Sequence, residues 1–329
     1  MNSVLLNPVA PASHPNTDTA IRLEDIAHSY GDRPALRGVS FDVRRAEIFG
    51  LLGPNGSGKT SLFRILSTLM LPSSGRAEIM GVDTTAEPDR VRRRIGVVFQ
   101  AQSIDIKLSA AENLTHQGHL YGLFGTALKR RVAEMLERVG LADRANERVE
   151  TFSGGMLRRV ELAKGLLHHP SVLLLDEPTT GLDPGARIDV WNYLKILRDS
   201  EGASVLVTTH LMEEGDKCDR LAILNGGSLA GLGTPAELKG QIGGDVIVME
   251  SDQPETLARG IESRFGWKPS VVERTVRLEI QDGHRRVGDL VEAFRPMIAS
   301  INVSKPTLED VFIHRTGHKF WINGRKDRK

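Results

Sequence analysis

Two hydrophobic periods alternate along the chain after Ile21 and predict the order of its strands and helices. Apolar residues at every second position in 21–26 and 39–43 predict strands that bury one face, with a turn at Gly31-Asp32 between them. Continuous apolar runs predict strands that are buried on both faces, as in a parallel sheet. Such runs occur at 48–52, 95–99, 172–175 and 205–207.

Apolar residues at helical spacing fill the intervals between these runs. Three segments place such residues on one helix face, namely Leu62, Ile65, Leu66 and Leu69, then Met156, Val160, Ala163 and Leu167, then Val190, Leu194 and Leu197. Strands and helices that alternate in this way predict the α/β fold class. From about 103 to 149 no buried strand occurs, so we expect a helical insertion, which reaches about residue 165 with the next helix included.

Glycines cluster at 226–244 and predict a linker there. Beyond it, 245–251 and 271–280 are expected to be strands and 286–294 a helix, which together make a small α+β unit. We therefore predict a main domain at 21–239 and an accessory α+β C-terminal domain at 240–329 that ends in a basic tail. Residues 1–20 contain scattered prolines and lack the apolar block of a secretory signal, so we expect a disordered leader.

Composition narrows the functional classes. A chain of 329 residues, 40% apolar and 26% charged, is long enough for two modest domains. Lys and Arg number 43 and Asp and Glu 42, so the net charge is +1 and we expect no nucleic-acid partner. The single cysteine, Cys218, excludes a disulfide scaffold and fits a reducing compartment. No apolar run approaches the ~18 residues that span a bilayer, so any work at a membrane would take place outside the lipid.

The strand predicted at 48–52 leads directly into a glycine-rich loop and a helix. The loop consists of Gly53, Pro54, Asn55, Gly56, Ser57, Gly58, Lys59 and Thr60 and satisfies the pattern G-x-x-x-x-G-K-[ST] of the phosphate-binding P-loop. Its backbone N–H groups and the helix N-terminus favour phosphate oxygens. Lys59 would meet the β- and γ-phosphates, and the Thr60 hydroxyl would bind Mg²⁺. A plain glycine-rich turn is the alternative, but the flanking strand and helix favour the P-loop.

Two adjacent acids, Asp176 and Glu177, follow the buried run 172–175. At the carboxyl end of a strand both side chains can reach the ligand crevice of an α/β sheet. Asp176 is expected to hold magnesium, and Glu177 to orient and deprotonate the water that attacks the γ-phosphate. A surface acidic pair is the ordinary alternative, but the P-loop in the same chain favours the catalytic interpretation.

A second helix start suited to anions precedes these acids. Ser153 is a natural N-cap, and Gly154 and Gly155 leave the first N–H groups of the helix uncovered. This start has no lysine, which suggests that it serves a different nucleotide from the P-loop. An ordinary capped helix would explain Ser153 but not the paired glycines.

Phe152 to Met156 and the segment 173–178 resemble the signature and Walker B motifs of ABC (ATP-binding cassette) ATPases, and the resemblance covers about residues 21–239. Four further positions look like family motifs in the family's order. Tyr30 looks like the A-loop aromatic that stacks on adenine, Gln100 like the Q-loop glutamine that contacts magnesium, and 181–184 like the D-loop between subunits. His210 looks like the switch histidine that contacts the γ-phosphate. Alone, each position also fits an ordinary structural role, so their weight comes from co-occurrence and order.

The resemblance implies a P-loop NTPase cassette with a mainly parallel core sheet, an antiparallel β subdomain and a helical subdomain, which binds ATP and Mg²⁺. It also implies a head-to-tail pair of copies with ATP between the P-loop of one and the signature of the other. The motifs depart from the common pattern at Phe152, Met156 and Gly181, where leucine, glutamine and serine are usual. Ser153, Gly154 and Gly155 are kept, so we expect hydrolysis to be retained.

Transport would require separate integral membrane permease subunits, which place this chain in the cytoplasm on the cytoplasmic face of the membrane. A cleft near Gln100 and the helical insertion would receive a short helix of that partner. The segment 306–312 is similar to a C-terminal motif of the daunorubicin-resistance-like branch of type-2 ABC exporters, although Leu308, Val311 and Phe312 also fit the apolar face of a closing helix. The main alternative function is a soluble ABC ATPase that acts on ribosomes or DNA.

Overall fold

The computed structural model describes residues 18–320, in which fourteen strands and eleven α-helices occur. The strands are β1 (Thr19–Tyr30), β2 (Arg33–Arg44), β3 (Ile48–Leu52), β4 (Ser74–Ile79), β5 (Val82–Asp83), β6 (Ile95–Val98), β7 (Val172–Asp176), β8 (Ser204–Thr209), β9 (Arg220–Asn225), β10 (Ser228–Gly233), β11 (Asp245–Glu250), β12 (Ser270–Val272), β13 (Thr275–Ile280) and β14 (Ser300–Ser304). The helices are α1 (Lys59–Leu66), α2 (Pro88–Arg92), α3 (Ala110–Leu120), α4 (Gly125–Arg138), α5 (Gly154–Leu166), α6 (Pro184–Glu201), α7 (Met212–Gly215), α8 (Pro235–Gly240), α9 (Pro254–Phe265), α10 (Gly283–Phe294) and α11 (Leu308–Thr316).

A six-stranded sheet in the order β10-β9-β3-β8-β7-β6 forms the centre of the main domain. All neighbours in it pair in parallel except β10, which pairs antiparallel with β9 at the edge. Strands β3, β7 and β8 are buried along their whole length, as their continuous apolar runs predict. The carboxyl ends of β3, β7 and β8 therefore lie side by side, which brings together the segments that follow them.

Each face of this sheet supports its own hydrophobic core, because successive strand residues point to opposite sides. On one face Ile48, Leu173 and Val205 pack with residues of α3, α4, α5 and α6. On the other face Phe49 and Leu174 pack with α1 and with the antiparallel sheet. The fold class is therefore α/β, as the alternation of strands and helices predicts.

The antiparallel sheet has the strand order β2-β1-β4-β5 and covers the α1 side of the main sheet. Strands β1 and β2 form a hairpin that turns at Gly31-Asp32, where the sequence predicted it. Both strands are longer than their alternating cores, because pairing continues through register shifts beyond the residues that alternate regularly.

The helical insertion consists of α3 and α4, followed by α5, and its apolar residues join the core beneath the parallel sheet. Ser109 begins α3 with a capping box in which it accepts from the Glu112 amide and Glu112 accepts from the Ser109 amide. Ser153 caps α5 in a similar way through the Met156 amide at 3.3 Å.

The last part of the described chain contains a four-stranded antiparallel sheet in the order β12-β13-β11-β14. Helices α9 and α10 pack on one face of it through Leu257, Ile261 and Leu290. Helix α11 packs elsewhere: Leu308, Val311 and Phe312 join Leu238 of α8 and residues of the main sheet in one cluster. These three residues thus form the apolar face of a closing helix, which fits the structural interpretation of the 306–312 segment.

The linker predicted at 226–244 was wrong for most of its length. Strand β10 and helix α8 occupy it, and β10 extends the parallel sheet. The prediction failed because these glycines do not mark a flexible segment. Gly226, Gly227 and Gly233 have positive φ and lie at the ends of regular elements. The domain division itself stays a prediction.

The predicted leader and the predicted basic tail lie largely outside the described residues. Strand β1 already begins at Thr19, inside the predicted leader, and residues 1–17 are not described. Of the basic tail, Lys319 is described and forms an ion pair with Glu273 at 2.9 Å.

Candidate functional site

The loop between β3 and α1 is shaped by glycines with positive φ. Gly56 has φ +80° and Gly58 has φ +106°, and a Cβ on Gly58 would lie 2.7 Å from the Ala35 carbonyl oxygen. Gly58 is also the N-cap of α1 and has no side chain with which to cap it. The first N–H groups of α1 are therefore uncapped by any side chain, and such groups are natural donors to an anion.

Lys59 lies buried inside the loop. Its Nζ donates to the carbonyl oxygens of Gly53 at 2.7 Å and Pro54 at 3.1 Å, and lies 4.0 Å from Glu177 Oε1. Burial lowers the pKa of Lys59, while the carboxylates of Glu177 and Asp176 act in the opposite direction. The ammonium group thus faces two acidic groups and lies close to where phosphate would enter.

Asp176 ends β7 and is buried. Thr208 of the neighbouring β8 donates its hydroxyl to Asp176 Oδ1 at 2.5 Å and accepts from the Glu177 amide at 3.0 Å. Burial raises the pKa of the Asp176 carboxyl, and the Thr208 hydrogen bond opposes that rise. Thr208 therefore orients both acids, a role for which its strand sequence gave no signal.

Glu177 leaves β7 in the left-handed region, with φ +46°, a conformation that is costly for a residue with a side chain. Its carboxylate contacts one residue of the same turn and two residues from other segments. Oε1 lies 3.1 Å from His210 Nδ1, and Oε2 accepts from Gln100 Nε2 at 3.3 Å and from Thr180 Oγ1 at 3.1 Å. Gln100 and His210, which lie far from Glu177 in the sequence, are thus brought to its carboxylate.

A cavity of about 670 Å³ connects the loop to Glu177. It is lined by Tyr30, Arg33, Pro34, Ala35, Asn55, Gly56, Gly58, Lys59, Thr60, Ser61, Gln100 and Glu177. The Tyr30 ring is 48% exposed, and its hydroxyl lies 3.4 Å from Ser61 Oγ. The sequence did not predict that Arg33, Pro34 and Ala35 line the site. Their signal was their position just after the hairpin turn that follows Tyr30.

Ser153, Gly154 and Gly155 do not line this cavity. Ser153 and Gly154 are exposed at the start of α5. A Cβ on Gly155 would lie 2.7 Å from the Ala186 Cβ, whereas one on Gly154 would meet only Leu182 Cδ2 at 3.7 Å. Close packing of α5 on α6 thus explains Gly155, and it leaves Gly154 without a packing reason.

The donor set around the cavity suits a hard divalent cation bound together with a phosphate chain. Asp176 supplies a buried carboxylate, Thr60 an exposed hydroxyl and Gln100 an exposed amide. Among residues 18–320 no group of three or more His, Cys, Asp or Glu side chains is arranged to hold a metal. Mg²⁺ needs no such cage, because it keeps waters and takes ligands from substrate phosphates.

The family model described as "ABC transporter" matches residues 36–180 of the chain. A daunorubicin resistance ATP-binding protein, DrrA3 of Streptomyces coeruleorubidus, is 38% identical over 307 residues, which cover 91% of this chain and 96% of that protein. This chain belongs to the ABC transporter ATP-binding proteins. It is therefore an ATPase with the cassette fold, as the resemblance implied.

Other relatives and solved structures extend the comparison. The Nod factor export ATP-binding protein I of Cupriavidus pinatubonensis is 36% identical, and the match covers 95% of each chain. The solved cassette cbiO1 of Clostridium perfringens matches with a TM-score of 0.64 and 25% identity, over 76% of this chain and 96% of its own. A dimeric post-hydrolysis structure of the cassette MJ0796, bound to ADP and Pi, matches with a TM-score of 0.59 and 28% identity, over 65% of this chain and 98% of its own.

These findings confirm the family and do not favour the ribosome or DNA alternative, since the relatives are named as resistance and export proteins. None of the helices within residues 18–320 is both long enough and apolar enough to cross a bilayer.

Proposed function

We propose that this chain supplies ATP hydrolysis to an exporter whose membrane-spanning subunits are separate proteins, and that two copies close head to tail on two ATP molecules. The observation that carries the proposal is the separation within one chain of the P-loop cavity and the Ser153 helix start. Each copy holds one half of a site, so pairing is required to complete it. The names of the relatives, among them a daunorubicin resistance protein and a Nod factor export protein, support the direction of transport.

In the P-loop half, the adenine ring stacks on exposed Tyr30 and the triphosphate lies against the amides at the start of α1. The amides and side chains from Gly53 to Thr60 enclose the phosphates, and Lys59 meets the β- and γ-phosphates. Thr60, Gln100 and Asp176 are the residues that would hold Mg²⁺. When bound, this ion neutralises charge on the phosphate oxygens.

Glu177 is the proposed general base. Its carboxylate sits between Gln100, Thr180 and His210, so a water held against Oε1 or Oε2 would be fixed on several sides. His210 would then contact the γ-phosphate while staying close to Glu177. The partner copy contributes Ser153, Gly154 and Gly155, whose uncovered amides stabilise the charge that develops on the γ-phosphate.

A second cavity, of about 680 Å³, is the proposed docking cleft for the permease. It lies between the strand that leads to Gln100 and the helical insertion, and its lining includes Phe99, His116, Leu120 and Tyr121. Leu120 lines this cleft and is 82% exposed, so its side chain is available to pack against an inserted helix. A short helix of a membrane subunit inserted here would place this chain on the cytoplasmic face of the membrane.

A mixed-dimer experiment tests the two-copy site. Lys59→Ala removes the phosphate lysine, and Ser153→Asp keeps a good helix cap while placing negative charge against the triphosphate. Each variant alone should lose turnover. Mixed dimers should regain it, because one of their two sites combines an intact P-loop with an intact signature. Ser153→Thr, which keeps the hydroxyl, should stay active. If mixing restores no turnover above either variant, the shared-site proposal is wrong.

A detergent pull-down tests the permease partner. The wild type should recover an integral membrane protein from solubilised membranes, and Leu120→Asp should recover less of it with ATPase activity kept. Ile196→Asp is the matched control, since Ile196 is 56% exposed on α6 outside the cleft. Recovery of ribosomes or DNA with no membrane protein would instead support the alternative function.

A further inference from the structure

Helix α5 carries a buried ion pair in its middle, at residues that lie outside the P-loop cavity. Arg158 is 6% exposed and Glu161 is 3% exposed, and Arg158 Nη1 lies 2.7 Å from Glu161 Oε2. Burying two charges is costly unless the remaining donors and acceptors are also satisfied. The other contacts of this pair therefore show what the pair holds in place.

The pair forms hydrogen bonds with the backbone on both sides of Gln100. Arg158 Nη1 donates to the Phe99 carbonyl oxygen at 2.8 Å, directly before Gln100. Glu161 Oε1 accepts from the Ser103 amide at 2.8 Å, three residues after it. The backbone that presents Gln100 is thus fixed to α5 at both ends.

The same guanidinium holds the segment that carries the proposed base. Arg158 Nε donates to the Pro178 carbonyl oxygen at 2.6 Å, and Nη2 lies 3.4 Å from the carbonyl oxygens of Asp176 and Glu177. A guanidinium has five N–H donors, and the acceptors here match that number with Glu161 and Phe99 included. These contacts cover the turn where Glu177 adopts its positive φ.

We propose that Arg158 is a positioning residue for ATP hydrolysis, held in place by Glu161, that ties the Gln100 segment and the Glu177 turn to the helix bearing Ser153. It touches neither the cavity nor the proposed water, and it acts through the backbone of the residues that do. The inference rests on the roles proposed above for Gln100 and Glu177. Five donors in a fixed fork are needed for it, so lysine, with three donors on a flexible stem, cannot replace Arg158.

The main test variant is Arg158→Met combined with Glu161→Gln, in the full chain. The double change leaves no unpaired charge in the interior, and the carbonyl oxygen of the introduced glutamine can still accept from the Ser103 amide, so folding should be kept. We expect kcat for ATP to fall about tenfold or more while KM changes by less than about threefold, because small misplacement of a reacting group lowers the rate more than binding. Thermal melting checks the fold.

Two further variants separate positioning from general stability. Arg158→Lys keeps the charge beside Glu161 and should also lose kcat. Arg159→Met is the matched control: Arg159 is the next residue on α5 and donates to the Val139 carbonyl oxygen within the helical insertion, so its loss should leave kcat nearly unchanged. Equal loss of kcat in Arg159→Met and in the double variant would overturn the proposal.

A double-mutant cycle with Gln100→Ala tests whether Arg158 acts through Gln100. If Arg158 acts through Gln100, the Arg158→Met/Glu161→Gln change should lower kcat less in the Gln100→Ala background than in the wild type. Independent, multiplicative losses would exclude an action through Gln100, and full kcat in the Arg158→Met/Glu161→Gln variant would overturn the positioning role altogether. Normal turnover in Gln100→Ala and in Glu177→Gln would instead contradict the proposed function, so the two failures can be told apart.

Discussion

Gly154 and Gly155 are neighbours at the start of α5, but the structure explains the absence of a side chain only at Gly155. Added at Gly155, a Cβ would press on the Ala186 Cβ at 2.7 Å, and added at Gly154 it would find ordinary contact distance at 3.7 Å. Gly155 therefore serves the packing of α5 on α6. Gly154 has no such packing role, and it lies at the helix start that we propose for binding a partner's nucleotide.

Alanine at these two positions should separate stability from activity. We expect Gly155→Ala to lower the free energy of unfolding by about 1–3 kcal/mol through overpacking. Gly154→Ala should change it by less than about 0.5 kcal/mol, as for other exposed sites, yet still lower ATP turnover. Urea unfolding and steady-state ATPase assays measure the two effects. Equal destabilisation by both alanines would contradict the packing argument.

The Glu177→Gln variant tests whether Glu177 is the general base. Replacing it with glutamine keeps the size of the side chain and its contacts with Gln100 and Thr180, but removes the base. We expect kcat to fall by about 10²-fold or more, as is typical when a general base is lost, with ATP binding retained. Glu213→Gln is the control, because Glu213 is an exposed acid on α7. Normal hydrolysis by Glu177→Gln would exclude the base assignment.

Helix α11 contacts the C-terminal sheet through a buried ion pair. Arg277 of β13 pairs with Asp310, both buried, and Asp310 also completes the capping box of α11 by accepting from the Thr307 amide at 2.7 Å. The apolar side of the same helix packs against α8 and the parallel sheet. One short helix thus joins the last sheet to the main domain.

Breaking this pair from one side should be costly. Arg277→Leu leaves Asp310 charged and buried, and we expect a loss of about 3–5 kcal/mol in the free energy of unfolding. Arg274→Leu is the matched control, because Arg274 pairs with Asp252 and both are largely exposed, so less than about 1 kcal/mol is expected. Chemical denaturation compares them. Similar losses in the two variants would show that the buried pair has no special role.

At the scale of the whole molecule, we propose that two copies of the chain pair and separate in turn. In the proposed cycle, ATP bound between two copies would join them, and hydrolysis would release them. A variant that binds but does not hydrolyse should therefore accumulate in the paired state. In that pair each copy would contribute one P-loop and one signature helix start, because a two-fold axis gives both copies the same contacts.

Light scattering on the Glu177→Gln variant tests this expectation. With ATP and Mg²⁺ we expect a mass about twice the 36.1 kDa of one chain, and with ADP the mass of a single chain. Chelation of Mg²⁺ by EDTA should abolish turnover in the wild type. A single-chain mass for the variant at saturating ATP would count against the head-to-tail pair.

Much of the fold was readable because its signals are local. The continuous apolar runs of β3, β7 and β8 and the spacing of the helix faces require only the residues themselves. The same local logic failed at 226–244, where glycines serve turns around β10 and α8. Helix α9 and strand β14 were not predicted, because their apolar residues pack on a sheet whose order is not visible in any one segment.

The amino-acid sequence by itself determined which residues could do the chemistry: a loop that can cradle phosphate, two acids at a strand end and a second uncovered helix start. These depend on residue type and spacing within one turn or strand. Only the tertiary structure decided that Gln100 and His210 meet at Glu177. It also decided that Arg158 donates to the carbonyl oxygens of Phe99 and Pro178. The reason is that strand order sets these meetings, and strand order depends on how the two cores pack rather than on any local period.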